Sequence, residues 1–201
     1  MAKLSENVIF DRKLETSIRD AANVLLENGV LLCPTDTIWG LSVLPDSEIA
    51  IEKLRKLKGR SADKPFILLV PDKTLLQKIT GPLAASMLKT AVGQEIPTSI
   101  IYHIETPLVS SHVLAEDGTL AIRVVSSGFC HELMKYLQQP LISTSANYSG
   151  KPSPQSFDEI EKSLIEKVDG CVPLAFAPHS FGRPSRILRY KSDGSLEVIR
   201  P

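Results

Sequence analysis

The stretch Cys33–Lys64, CPTDTIWGLSVLPDSEIAIEKLRKLKGRSADK, decides how the chain folds. The apolar run Val30–Cys33 breaks into Pro34-Thr35-Asp36-Thr37, which reads as a strand delivering its C-terminal end to a polar site. Trp39–Ser42 runs back into the body of the protein. Pro45-Asp46-Ser47 then starts a helix, with Asp46 or Ser47 as the cap and Glu48 in the positive first turn. Along it Ile51, Leu54 and Leu57 are expected to face the core, with Lys53, Arg55 and Lys56 on other faces. The helix exits into Lys58-Gly59-Arg60. Between Ile51 and Lys64 six basic residues stand against two acidic ones, in a chain balanced at 23 basic and 23 acidic. This local excess is where an anion is expected.

Working outward, Ile18, Ala21, Ala22, Leu25 and Leu26 have the spacing of a one-sided helix over Leu14–Asn28, stopped by Asn28-Gly29. Phe66–Val70 is a continuous apolar run bounded by prolines, the pattern of a strand buried on both faces. Asp72–Ile79 and Leu83–Thr90 read as short helices split by Gly81-Pro82, and Thr98–Ile104 and Leu120–Val125 as strands. Val109–Glu116 fits no single pattern. Phe129–Leu137 is a predicted helix and Pro140–Thr144 a strand entering Ser145–Gly150. Ser156–Val168 is a predicted helix with Phe157, Ile160, Leu164 and Val168 on its inner stripe. The chain closes with a hairpin, Arg186–Tyr190 and Leu196–Arg200 about a Ser192-Asp193-Gly194 turn. Helices and strands alternate without a composition break or repeat, so one α/β domain with a mixed, twisted sheet is expected over residues 1–201.

Composition narrows the class. A 43% hydrophobic content suits a soluble globular protein, and zero net charge argues against attachment to nucleic acid by bulk charge alone. Cys33, Cys130 and Cys171 are odd in number and widely spaced, fitting neither a disulfide framework nor a zinc cage. With no signal peptide and no apolar run of membrane-spanning length, a cytoplasmic protein without membrane attachment is expected.

Two strand ends terminate in small polar residues, Pro34–Thr37 and Ser143–Asn147. Their hydroxyls and amides can hold phosphate or carboxylate oxygens, or simply satisfy a turn. The basic turn at Lys58-Gly59-Arg60 can likewise be a solvated helix end. Arg123 is sharper: an arginine within Leu120–Val125 must reach water, a salt-bridge partner or an anionic ligand. Neither a Walker nor a Rossmann phosphate loop is present. Cys130 and His131 are adjacent, so their side chains diverge on a helix, and the four histidines lack metal-ligand spacing. Asp36 alone is a weak magnesium ligand.

The pieces PTDTIWGL (34–41), LRKLKGRSADKP (54–65), AIRV (121–124), STSANYSGKPSP (143–154), GRPSRIL (182–188) and the terminal EVIRP occur in an order and spacing that resemble the YrdC-like threonylcarbamoyl-AMP synthases. The resemblance implies an open, twisted mixed sheet with helices and a large, partly basic concave cavity, in a single-domain form. It implies a nucleotidyltransferase that converts L-threonine, bicarbonate or CO2 and ATP into threonylcarbamoyl-AMP and pyrophosphate, for tRNA N6-threonylcarbamoyladenosine synthesis. Carried over by position, Lys58, Arg60, Ser145 and Asn147 would be the catalytic set. Together with Lys64, Ser143, Ser153 and Arg200 they would hold ATP, while Thr37, Arg123 and Ser185 would hold threonine. Mg2+ would be held by the ATP phosphates rather than by the protein. A transferase complex downstream would receive the product, and tRNA or double-stranded RNA is a further possible partner.

The sequence departs from the family pattern at Lys64, where many members have asparagine, and at Leu69, where they have histidine. It departs again at Ser185-Arg186-Ile187-Leu188, and at Pro97-Thr98, where the usual Pro-Gly-Pro is reduced. Two other readings stand beside the main one: a non-catalytic RNA-binding module gripping backbone through Lys53, Lys56, Lys58 and Arg60, and a relative using another carbamoyl or acyl substrate.

Overall fold

A computed structural model describes residues 2–61, 66–92, 94–177, 182–191 and 193–201, with side chains from residue 11 onward. Nine strands form one open mixed sheet in the order β7-β1-β2-β6-β3-β5-β4-β8-β9. The strands are β1 (Leu31–Pro34), β2 (Trp39–Val43), β3 (Ile67–Val70), β4 (Thr98–His103), β5 (Thr119–Val124), β6 (Leu141–Ser145), β7 (Gly170–Cys171), β8 (Arg186–Tyr190) and β9 (Leu196–Arg200). Three pairs are parallel, β1 with β7, β3 with β5 and β4 with β8, and the other five are antiparallel.

Alternation along the strands separates two faces. Leu68, Ile100, Ile122, Ile142 and Leu188 face the main core, which the helices cover. The other face carries Ile67, Leu69, Ile101, Ala121, Arg123, Ser143, Ile187 and Arg189, and it stays open enough to form a cavity. Helices α1 (Ala2–Leu26), α2 (Glu48–Lys58), α3 (Lys73–Thr80), α4 (Ala85–Ala91), α5 (Phe129–Leu137) and α6 (Lys162–Ile165) supply the cover. α1 packs on α5 and β1, α3 on β3 and β5, and α4 on β4.

Several local expectations hold. Ser47 caps α2, accepting a hydrogen bond from the Ala50 N–H at 3.1 Å. The hairpin β8–β9 and helix α5 occupy the predicted ranges. Asn28 itself adopts the left-handed conformation that ends α1, with φ +60°. A Cβ on Gly29 would lie 2.6 Å from the Val24 carbonyl oxygen, which explains glycine there.

Others are corrected. α1 begins well before Leu14, and Leu26 is exposed because it lies off the stripe made by Ile18, Ala21, Ala22 and Leu25. The region 109–116 contains only a short 3-10 turn, Ser111–Val113. Residues 156–168 form a 3-10 turn (Phe157–Glu159) and then the single turn of α6, interrupted by extended backbone at Ile160 and Glu161. The apolar stripe still points inward: Ile160 and Leu164 are buried, and Phe157 sets its ring edge-on to Trp39, centroids 4.9 Å apart. Tertiary packing satisfies that stripe without a continuous helix.

The buried stripe of α2 is Ala50, Ile51, Leu54, Arg55 and Lys58 rather than the apolar positions alone. Arg55 reaches the carbonyls of Ser61 (3.0 Å) and His112 (2.8 Å) and lies over the Phe66 ring. Arg55 therefore belongs to the core side, contrary to expectation. Among the described residues, no helix is long and apolar enough to cross a membrane.

Candidate functional site

The open face of the sheet holds a cavity of about 270 Å³, near the lower end of small-molecule pockets. Its wall contains four arginines, Arg60, Arg123, Arg189 and Arg200, and no carboxylate among the described residues. Hydroxyls of Thr37, Ser143, Thr144, Ser145, Ser153 and Ser185 are interspersed with apolar residues including Trp39, Leu69 and Ile101. Such a wall is complementary to an anion that also has apolar surface.

At one end, the turn between β1 and β2 is tied together by Thr35. Its hydroxyl donates to the Ile38 carbonyl (2.7 Å) and lies 2.9 Å from the Thr37 hydroxyl. Since the Thr35 proton goes to Ile38, Thr37 is the donor in that hydroxyl pair. The Thr37 oxygen in turn accepts from Arg123 Nη2 at 3.2 Å. The same nitrogen donates to Asp36 Oδ1 at 3.0 Å, in an ion pair whose side chains are 5% and 22% exposed. Arg123 thus has a counter-charge on one side and the cavity on the other, while its buried Nε has no partner among the described residues. Asp36 proves to be the carboxylate that holds this arginine.

Ser185 and Arg200 form the adjoining wall. The Ser185 hydroxyl pairs with Ser99 at 2.8 Å, and Arg200 Nε and Nη2 donate to the Ser185 carbonyl at 2.9 and 2.7 Å. Burial, and then the charge of Arg123, lowers the pKa of Arg200. Two guanidinium groups that repel one another across a cavity make a favourable seat for an anion.

The third side is the end of β6. Gly40, opposite Ser145 in the β2–β6 pair, permits close approach there: a Cβ would meet Ser143 Oγ at 2.6 Å. Arg60 Nη1 lies 3.4 Å from Thr144 Oγ1, with its guanidinium over the Phe66 ring. Thr144, part of the Ser143–Asn147 cluster but given no role of its own there, joins the wall. Behind this wall, Lys58 is almost wholly buried and does not line the cavity. Its ammonium donates to the Ser145 carbonyl and, at 2.6 Å, to the Asn147 carbonyl. Burial lowers its pKa to about 7, and the charge of Arg60 pushes the same way. Ser145 Oγ donates to Asn147 Oδ1, and Asn147 Nδ2 donates to the Tyr148 and Lys151 carbonyls, so this asparagine shapes the loop.

The basic cluster of α2 therefore divides. Lys53 pairs with Asp169 at 2.5 Å, Lys56 is exposed, Arg55 and Lys58 are spent on carbonyls, and Arg60 faces the cavity. The residues proposed for an RNA grip do not form one exposed stripe. Lys64 lies outside the described residues. Ser143, Ser145, Ser153, Arg200, Thr37, Arg123 and Ser185 all line the cavity, whereas Asn147 does not. Arg186 donates to Thr98 Oγ1 at 3.2 Å and is not part of the wall, but Leu69 is. No group of three or more His, Cys, Asp or Glu suited to a metal occurs among the described residues.

Fold and site together define an α/β protein with an arginine-lined cavity on the open face of a mixed sheet. Comparison with known proteins makes the assignment narrower. The family described as "Telomere recombination" (Sua5/YciO/YrdC) matches residues 23–201, and the chain belongs to this family. It is 31% identical over 189 residues to threonylcarbamoyl-AMP synthase of Bacillus subtilis, covering 93% of this chain and 54% of that protein. It is 32% identical over 157 residues to threonylcarbamoyl-AMP synthase of Nitrosococcus oceani, covering 78% and 84%. The structure of P. abyssi Sua5 complexed with L-threonine shares the fold, with a TM-score of 0.81 at 22% identity over 92% of this chain and 53% of that one. The chain thus spans about half the length of the Bacillus subtilis and P. abyssi proteins.

Proposed function

We propose that this protein is a threonylcarbamoyl-AMP synthase, a nucleotidyltransferase that forms threonylcarbamoyl-AMP and pyrophosphate from L-threonine, bicarbonate or CO2, and ATP. The observation that carries the reading is the cavity wall with four arginines and, among the described residues, no carboxylate. The names of the Bacillus subtilis and Nitrosococcus oceani relatives support the particular reaction.

In this reading the threonine carboxylate sits against Arg123 and Ser185, with Thr37 fixing the guanidinium. The amine, as its carbamate, presents an oxygen to the α-phosphorus of ATP. That oxygen forms the new P–O bond, and the bond from the α-phosphorus to the bridging oxygen breaks, its electrons leaving with pyrophosphate. The carbamate is already a nucleophile, so positioning and charge stabilisation matter more than a strong base. Arg60, Arg200, Ser143, Ser145 and Ser153 would face the phosphates, joined by Lys64. Lys58 and Asn147 act from behind as positioning residues, because their polar groups hold the loop that presents Ser145. Among the described residues the wall offers no carboxylate ligands to a magnesium ion, and Mg2+ is assigned to the ATP phosphates with no step routed through it. The product would serve tRNA N6-threonylcarbamoyladenosine synthesis through a separate transferase.

The test is incubation with ATP, labelled bicarbonate and each amino acid in turn. Threonine-dependent incorporation of label into an adenylate, with equimolar pyrophosphate, is expected. Pyrophosphate release that ignores threonine and bicarbonate would overturn the assignment.

A further inference from the structure

One cavity arginine remains without a role. Arg189 comes from β8, two residues beyond Ile187 on the same face, and is paired in register with Ile101 of β4. β6, where Arg60 meets Thr144, and β8 are four strand spacings apart, about 19 Å between backbones, so Arg60 and Arg189 stand on opposite sides of the same trough. Between them the floor is apolar: Ile67, Ala121 and Ile101 lie side by side in register.

The contacts of Arg189 are incomplete. Its Nε is buried and has no partner among the described residues. Its Nη2 lies 3.7 Å from Asp117 Oδ2, beyond hydrogen-bond distance, and both side chains are about half exposed. Asp117 is already served elsewhere, since its Oδ1 accepts from the Thr119 hydroxyl at 2.6 Å and the Thr119 N–H at 3.1 Å. Asp117 therefore balances the charge of Arg189 without engaging its fork of donors. A half-exposed pair at this distance contributes little to folding. A guanidinium held loosely beside an apolar trough, with its donors uncommitted, is arranged for a ligand.

We propose that Arg189 is a further substrate-binding residue, which leaves Asp117 to take a phosphate of the bound nucleoside triphosphate. The cavity is small enough that a ligand filling it lies within reach of this side chain. Arg189 would close the anionic wall on the side opposite Arg60 and grip the nucleotide across the trough. This inference rests on the nucleotide reading of the cavity.

Trp39 is the single tryptophan and lines the cavity, so its fluorescence reports occupancy directly. Titrations with MgATP, pyrophosphate and adenosine would be run on the wild type, Arg189→Gln and Asp117→Asn. Arg189→Gln is expected to weaken ATP and pyrophosphate roughly five- to tenfold, the worth of one solvent-accessible charge-assisted hydrogen bond, and to leave adenosine unchanged. Asp117→Asn removes the competing carboxylate and is expected to tighten ATP about two- to threefold. The opposite signs carry the test. If both variants weaken ATP, or neither does, the pair is merely structural and the proposal fails. If Arg189→Gln weakens adenosine but not pyrophosphate, the arginine meets the base and the phosphate assignment is wrong. Failure of wild-type protein to bind ATP at all would instead overturn the nucleotide reading itself.

Discussion

The turn between β1 and β2 and the loop after β6 are both small polar segments at strand ends, and a cation from another element holds each. Their chemistry differs. At the β1–β2 turn Arg123 meets the Asp36 carboxylate and the Thr37 hydroxyl, so its charge is compensated and its orientation fixed. At the β6 loop Lys58 meets, among the described residues, carbonyl oxygens alone, and burial pushes its pKa down to about 7. The first arrangement aims a permanent charge at the cavity. The second is a strut whose charge depends on pH. Burying a cation needs either a counter-ion or a readiness to give up the proton, and the two regions take one solution each.

The largest expected effect on stability comes from breaking the first region. Arg123→Gln leaves Asp36 partly buried without its cation and is expected to cost about 3 kcal/mol in urea unfolding. A loss under 1 kcal/mol would mean that the pair does not hold the turn.

Next comes the strut. Lys58→Met strands the Ser145 and Asn147 carbonyls and is expected to cost about 2 kcal/mol. Its pH dependence is more telling. The folded lysine releases its proton near pH 7, whereas the unfolded one keeps it to about pH 10.4. Between these values Lys58 binds its proton more in the unfolded state, so the stability contributed through Lys58 should rise with pH by up to about 1.4 kcal/mol per unit. Lys58→Met should remove that rise. If the difference between the wild-type and Lys58→Met profiles is flat or falling from pH 7 to 9, Lys58 keeps its charge when folded.

Much of this was legible in the sequence because local rules and the fold agree. Helix α5 and the β8–β9 hairpin appear at their predicted positions, and the pattern of strand ends located both polar clusters. Arg123 stood out because a charge inside an apolar run demands an explanation. Lys58 shows where residue type misled. It is seven residues from Ile51 and four from Leu54, which places it on the buried stripe, but as a lysine next to a glycine it read as a solvated helix end or, by the family resemblance, as a phosphate ligand. The partners that make burial tolerable come from β6, nearly 90 residues away, and spacing alone does not reveal them. The same holds for Asp36, whose role is set by a strand with which it shares no local pattern. The helix expected at 156–168 failed for another reason: its apolar residues find partners such as Trp39 directly, without continuous helical hydrogen bonding.

The central claim is a division of labour between the two regions, with the amino acid held at the β1–β2 turn and the nucleotide at the β6 end. The most direct measurement is the KM split in threonine-dependent adenylate formation for Arg123→Lys and Arg60→Lys, each of which keeps the charge and loses the fork of donors. Arg123→Lys is expected to raise the KM for threonine at least tenfold with that for ATP nearly unchanged, and Arg60→Lys to do the reverse. If both variants raise the KM for the same substrate, or raise both substrates equally, the two regions do not divide the ligands and the account is wrong.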